Sequence, residues 1–183
     1  PDLSHGFFGH LPLLAPTVFA TFIQAYGAVG ARARHPAALK MLARLYWYTV
    51  EFGLVATPRG LRAYGAGILS SSGETVYATR ASGPARISFD LQRVLCTDYL
   101  IDSYQKTYFV LDDIEQLFDS VLDADFDALF AQAHELPAHE PDAHGDASHG
   151  VAAGNPVSLG HGEHRRNDRR AGVHRAAFEG VVE

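Results

Sequence analysis

The sequence predicts a mainly α-helical fold with short strands. Two observations carry that expectation. Apolar residues recur at i, i+3 and i+4 spacing in three separate stretches, which marks one buried face of a helix in each. Residues 107–111 combine β-branched and aromatic side chains in a short run, which reads as a short strand.

The elements follow in order. Val18, Phe19, Phe22, Ile23 and Tyr26 form the first stripe, with Pro16 at a position that tolerates proline and Gly27 and Gly30 as the expected stop. A second helix is expected from Pro36, with Leu42, Leu45, Tyr46, Thr49 and Phe52 as its stripe and Gly53 at its end. Residues 61–77 are rich in Gly and Ser and read as loop with short extended pieces. A short helix is expected over 89–95, with Ser88 as its cap. After the strand at 107–111, Asp112 and Glu115 resemble a capping box. Ile114, Leu117, Phe118, Val121 and Leu122 then make a third helical stripe. Phe126, Leu129 and Phe130 continue or restart it.

Composition sets a boundary. Of 20 aromatic residues only Phe178 follows Phe130, whereas seven of the ten histidines do. Residues 1–137 are therefore expected to hold the domain, and 138–183 a low-complexity, disordered tail too poor in apolar surface to offset the cost of ordering it. His134, His139, His144 and His149 recur every five residues there. Loose metal capture and low-complexity drift both account for that spacing.

Charge and cysteine content narrow the function classes. A net charge of −6 argues against a dedicated nucleic-acid binder, and the cluster Arg165, Arg166, Arg169 and Arg170 reads as solvated tail. A single cysteine, Cys96, excludes an internal disulfide and fits a reducing, cytoplasmic setting. No apolar run approaches the roughly 20 residues that span a bilayer, so no membrane association is expected. Asp123, Asp125 and Asp127 do not complete a calcium loop, because Ala128 stands at the turn position that needs glycine.

Three residues carry candidate chemistry. His5 and His10 lie five apart among apolar neighbours, and imidazole is the commonest protein ligand for transition metals. Five residues of straight α-helix rotate by about 140°, so the two rings converge only if the helix ends or distorts near Gly9. Two separately hydrogen-bonded histidines are the alternative. Glu51 sits inside a strongly apolar helix, four residues after Trp47. Such an acid needs a metal, a shifted pKa or a cationic partner, Arg44 and Arg62 being the candidates for the last. Two histidines and one carboxylate are the ligand set of non-haem iron(II) oxygenases, which leaves three adjacent positions open for dioxygen and a co-reactant.

Those residues carry a resemblance. Pro1-Asp2-x-x-His5-x-x-x-Gly9-His10-x-Pro12 resembles the iron-binding signature of the biopterin-dependent aromatic amino acid hydroxylases. Residues 45–54 (LYWYTVEFGL) are similar to that family's second signature, and residues 63–74 (AYGAGILSSSGE) to its third. Phe89-Asp90-Leu91 and residues 105–110 also fit, so the likeness runs from Pro1 to about Phe130. Bacterial phenylalanine-hydroxylating members are the most similar, because no tetramerisation helix is recognisable, which implies a monomer.

The resemblance implies an aromatic amino acid hydroxylase-like catalytic domain, truncated at its N-terminus, that converts L-phenylalanine to L-tyrosine in phenylalanine catabolism. Iron(II), tetrahydrobiopterin and O2 would be its cofactors and co-substrate. His5, His10 and Glu51 would hold the iron. Trp47, Gly67, Ser70, Ser71 and Glu74 would line the substrate side, Ser70 would also hydrogen-bond His5, and Tyr46 would lie near the cofactor. The family usually has Glu after the first histidine, where this chain has Gly6, and its pterin-contacting loop and substrate-clamping arginine lie upstream of this motif. An iron-binding fragment without turnover is therefore the alternative.

Overall fold

In the computed structural model the described residues are Leu3, 5–10 and 17–141. Pro1, Asp2, Pro12, Pro16, His144, His149 and the arginine cluster at 165–170 lie outside them. Among the described residues, seven α-helices, two π-helical turns and four strands follow in chain order.

The chain opens on a π turn, His5–His10. Helix α1 (Thr17–Arg32) buries Phe19 and Phe22 and runs through Gly27 and Gly30 rather than stopping at them. Gly30 faces α2: a Cβ there would lie 3.6 Å from Leu42 Cδ1, an ordinary van der Waals contact. Helix α2 (Ala38–Tyr46) buries Met41, Leu42, Arg44 and Leu45. It then widens into a second π turn, Trp47–Glu51, instead of continuing as α-helix to Gly53. Such bulges concentrate at functional sites.

The sheet has the order β2–β1–β4–β3. Strands β1 (Leu54–Thr57) and β2 (Gly60–Ala63) form an antiparallel hairpin. Gly60 closes it at φ +99°, a left-handed conformation that favours glycine. Strand β4 (Thr107–Leu111) runs parallel to both β1 and β3 (Ala85–Ser88). All five residues of β4 are buried, as expected for a central strand covered on both faces. Phe109 and Leu111 enter the main helical core with Leu45, Tyr48 and Phe130, whereas Tyr108 and Val110 meet Leu54, Ile68 and Ala78 on the other face.

Residues 61–77 are more ordered than their composition suggests. They hold β2, the short helix α3 (Ala66–Leu69) and the start of α4 (Ser72–Arg80). Ser71 caps α4 by accepting from the Glu74 N–H at 3.3 Å, so one of the serines read as loop is a helix start. Helix α5 (Leu91–Cys96) is capped by Asp90, which accepts from the Arg93 N–H at 2.7 Å, and Ser88 is the last residue of β3. Helix α6 (Ile114–Leu122) is capped by Asp113, one residue later than expected, with Gln116 as the reciprocal side chain: it accepts from the Asp112 N–H at 2.9 Å. Helix α7 (Phe126–Glu135) restarts after Asp125, which caps it and so accounts for one of the three aspartates.

The stretch expected to be tail begins with a docked residue. His139 forms a parallel bridge with Thr97: its N–H donates to Cys96 O (2.8 Å) and its carbonyl accepts from the Asp98 N–H (2.9 Å). No described helix is long and apolar enough to cross a membrane.

Candidate metal centre

The two π turns build the site. In a π-helix residue i bonds to i+5, so residues five apart stack almost one above the other. His5 and His10 are spaced to use that geometry. Their rings meet edge to face, with centroids 4.7 Å apart and planes at 87°. This is the distortion that their spacing required. The third member, Glu51, is the last residue of the second π turn.

Glycines let these pieces approach. A Cβ at Gly9 would lie 2.9 Å from both the Cβ and the carbonyl oxygen of Ala66, so the first π turn can rest on α3 only if residue 9 has no side chain. A Cβ at Gly65 would run into the backbone carbonyl of Glu51. The Gly-rich stretch is thus the packing surface against which both ligand-bearing turns are set.

The donor atoms converge. His10 Nε2 lies 3.0 Å from His5 Nε2 and 3.3 Å from Glu51 Oε1, and His5 Nε2 lies 3.6 Å from Glu51 Oε2. Three ligands at about 2.1 Å from one ion and at right angles to one another would stand about 3.0 Å apart. The side chains are partly shielded, with 22%, 31% and 13% of their surface exposed for His5, His10 and Glu51. Among the described residues these three form a possible metal-holding group.

Hydrogen bonds fix the ligand orientation. The Ser70 hydroxyl donates to Gly67 O at 3.0 Å, which spends its only hydrogen. It must therefore accept from His5 Nδ1–H, 2.9 Å away. That assigns the His5 tautomer: Nδ1 carries the proton and Nε2 presents its lone pair to the centre. Imidazole ligands commonly have such an outer partner. Tyr46 completes the surround. Burial and the adjacent Glu51 carboxylate push its phenol above the ordinary range, so it stays protonated and can donate to that carboxylate. Arg44 and Arg62, the candidate partners of Glu51, are engaged elsewhere: Arg44 with Asp98, Arg62 with Leu61 O.

The other anticipated residues divide. Trp47 begins the second π turn, and its indole N–H is buried without an acceptor. Gly67 and Ser70 flank His5 through the bonds just described. Ser71 is committed to its helix cap. Glu74 is buried, and its Oε1 accepts from Gln105 N–H (3.2 Å) and Tyr108 O–H (2.8 Å). Burial pushes its carboxyl up despite those two bonds. Sequence reasoning missed Tyr99, whose ring stacks on Trp47, and Asp98, which Arg44 holds. A lone Asp-Tyr pair in an irregular connection gives no periodic signal.

Two imidazoles and one carboxylate, set on bulged helical turns beside a small mixed sheet, make up the donor set that non-haem metal oxygenases use. The sequence matches the biopterin-dependent aromatic amino acid hydroxylases over residues 1–130, and the chain belongs to that family. It is 56% identical over 137 residues to phenylalanine-4-hydroxylase of Ralstonia nicotianae, a match covering 75% of this chain and 44% of that protein. It is 54% identical over 132 residues to the enzyme of the same name from Chromobacterium violaceum, covering 72% and 44%. The chain thus spans less than half the length of these relatives. A crystal structure of the C. violaceum protein with bound Fe(III) superposes with a TM-score of 0.78 at 47% identity, covering 82% of this chain and 55% of that one. A cobalt-bound structure of that protein gives a TM-score of 0.77.

Proposed function

We propose that this chain is the metal-holding part of a hydroxylase that converts L-phenylalanine to L-tyrosine, using iron(II), tetrahydrobiopterin and O2. The supporting observation is the convergence of His5 Nε2, His10 Nε2 and the Glu51 carboxylate: the two nitrogens are 3.0 Å apart, with Oε1 3.3 Å from His10 and Oε2 3.6 Å from His5. The donor set fits iron(II): two neutral nitrogens and one carboxylate offset half of the dication's charge and leave one face open. When bound, the metal would supply the site at which O2 is reduced and the oxidising power for ring hydroxylation.

The chain's own residues do the rest. His5 and His10 present lone pairs, the first held in register by Ser70. Glu51 supplies the negative charge, with Tyr46 steadying its carboxylate. Trp47, stacked between Tyr99 and Phe52, makes an apolar wall that excludes water and suits an aromatic substrate ring. The stretch from Gly67 to Ser71, with Glu74 behind it, lines the substrate side, and Tyr46 faces the pterin. A monomer in the cytoplasm accords with a single thiol, Cys96, buried and free.

One observation favours metal binding without turnover: Gly6 offers no side chain where family members carry Glu, and a Cβ there would meet nothing within 4 Å. The test is tyrosine formation from L-phenylalanine with ferrous iron, a tetrahydropterin and O2, run on this chain and on the chain extended by a relative's upstream half. Activity lost in Glu51→Gln supports hydroxylation. Inactivity of the extended chain, with iron bound, leaves metal binding alone.

A further inference from the structure

The connection between α5 and β4 brings Tyr99 to Trp47, and what holds that connection lies away from the metal centre. Asp98 is gripped on several sides. The guanidinium of Arg44, itself 5% exposed, donates twice to Asp98 Oδ1, at 3.1 Å from Nε and at shorter range from Nη2, and to Leu95 O at 2.7 Å. Lys40 Nζ stands 3.7 Å from the same carboxylate oxygen, and the Tyr48 hydroxyl donates to the Asp98 carbonyl. The Asp98 N–H donates to the carbonyl of His139.

His139 closes the arrangement. Its N–H bonds Cys96 O, and its ring Nε2 accepts from Arg93 Nη1 at 3.0 Å. It lies past residues 1–130, which the family model matches. Thr97 is extended and Asp98 is bonded directly to Tyr99, so a shift at Asp98 carries that residue with it. The Tyr99 ring rests on Trp47, four residues before the metal ligand Glu51.

We propose that His139 is a positioning residue: the C-terminal segment latches the Asp98–Tyr99 connection, and through Tyr99 it sets Trp47 beside the metal ligands. The latch acts across three layers, from α7's trailing segment to α5's end and then to the second π turn.

Trp47 is the chain's single tryptophan, so its fluorescence reads the far end of the relay directly. The measurement is emission maximum and acrylamide quenching on the full chain without metal, so its failure is separable from failure of the hydroxylase reading. His139→Ala is expected to red-shift Trp47 emission and raise its quenching while cooperative thermal unfolding persists. His139→Gln, whose amide oxygen can accept from Arg93, should retain the native spectrum. Ending the chain after Ala138 should produce a larger shift than His139→Ala, and Arg93→Ala should reproduce the effect of His139→Ala. In a Tyr99→Leu background the His139→Ala shift should vanish, since coupled residues are non-additive. Unchanged emission in both His139→Ala and Arg93→Ala, or an equal shift without Tyr99, overturns the latch.

Discussion

The indole of Trp47 and the phenol ring of Tyr99 lie face to face, with centroids 4.4 Å apart and planes within 17° of parallel. The two residues lie 52 positions apart in the chain, and their stack joins the turn that carries Glu51 to the connection held by Arg44. Phe52 adds a second ring against Trp47, at 4.8 Å. Removing the Tyr99 ring should therefore loosen the wall beside the metal without touching a ligand. Tyr99→Leu is expected to destabilise the fold by about 1 kcal/mol through the lost ring pairing. Urea unfolding followed by circular dichroism measures this, and an unchanged midpoint would refute a stabilising stack.

The Ser70 hydroxyl fixes which nitrogen of His5 faces the centre. In Ser70→Ala that tautomer loses its anchor, and ferrous affinity should fall by about 10–100-fold, the usual effect of removing a ligand's outer partner. Anaerobic calorimetry with Fe(II) reads the change. Ser71→Ala is the internal control: it removes a helix cap, costs about 1 kcal/mol of stability, and should leave metal affinity near native.

Acid should weaken the fold in two separate windows. Burial and the neighbouring Arg93 hold the His139 imidazole below its usual range, so the folded chain binds that proton less tightly than the unfolded one. Its stabilisation is present above about pH 6.5 and is lost as pH falls through the lower folded value. Asp98 behaves in the same direction at lower pH. Burial pushes its carboxyl up, but the Arg44 guanidinium outweighs that and holds it below the ordinary carboxylate range. Its stabilisation therefore disappears below about pH 3.9. Thermal midpoints recorded against pH should lose the upper step in His139→Gln and the lower step in Asp98→Asn.

The glycines at the site should differ sharply in what they tolerate. Gly65→Ala drives a methyl group into the carbonyl of Glu51, a backbone atom that cannot swing aside, and should cost metal binding along with about 1–3 kcal/mol of stability. Gly6→Ala meets open space and should stabilise the first π turn by about 0.5–1 kcal/mol. Paired unfolding curves would show opposite signs, and matching signs would contradict this packing.

Much of this was readable from residue order, and the remainder has identifiable physical causes. The stripes around Phe19, Leu45 and Leu117 gave helices because one face of each is buried. The strand at 107–111 followed from its side chains. The triad was legible because family signatures surround it, and the need for a distortion between His5 and His10 followed from helical rotation alone. Gly27 and Gly30 misled because the helix is sustained through them by a face packed on the core, from Phe19 and Phe22 to Tyr26 and Val29. Within residues 61–77 the helical parts misled because Ser71 and Glu74 supply, through a cap and a buried hydrogen-bond cluster, the support that composition conceals. Tyr99 gave no signal because its packing on Trp47 is purely tertiary, and His139 was read only as a member of a histidine repeat because its bonds to Cys96, Asp98 and Arg93 are tertiary too.

Both ligand-bearing turns are wound one residue wider than an ordinary helix. An α-helix advances about 100° per residue, so deleting one position from either turn would swing its donor away from the ion by that angle even if every side chain were kept. These two short stretches should therefore survive a change of residue more readily than the loss of one, and a variant library for this centre should vary identity there while holding length fixed.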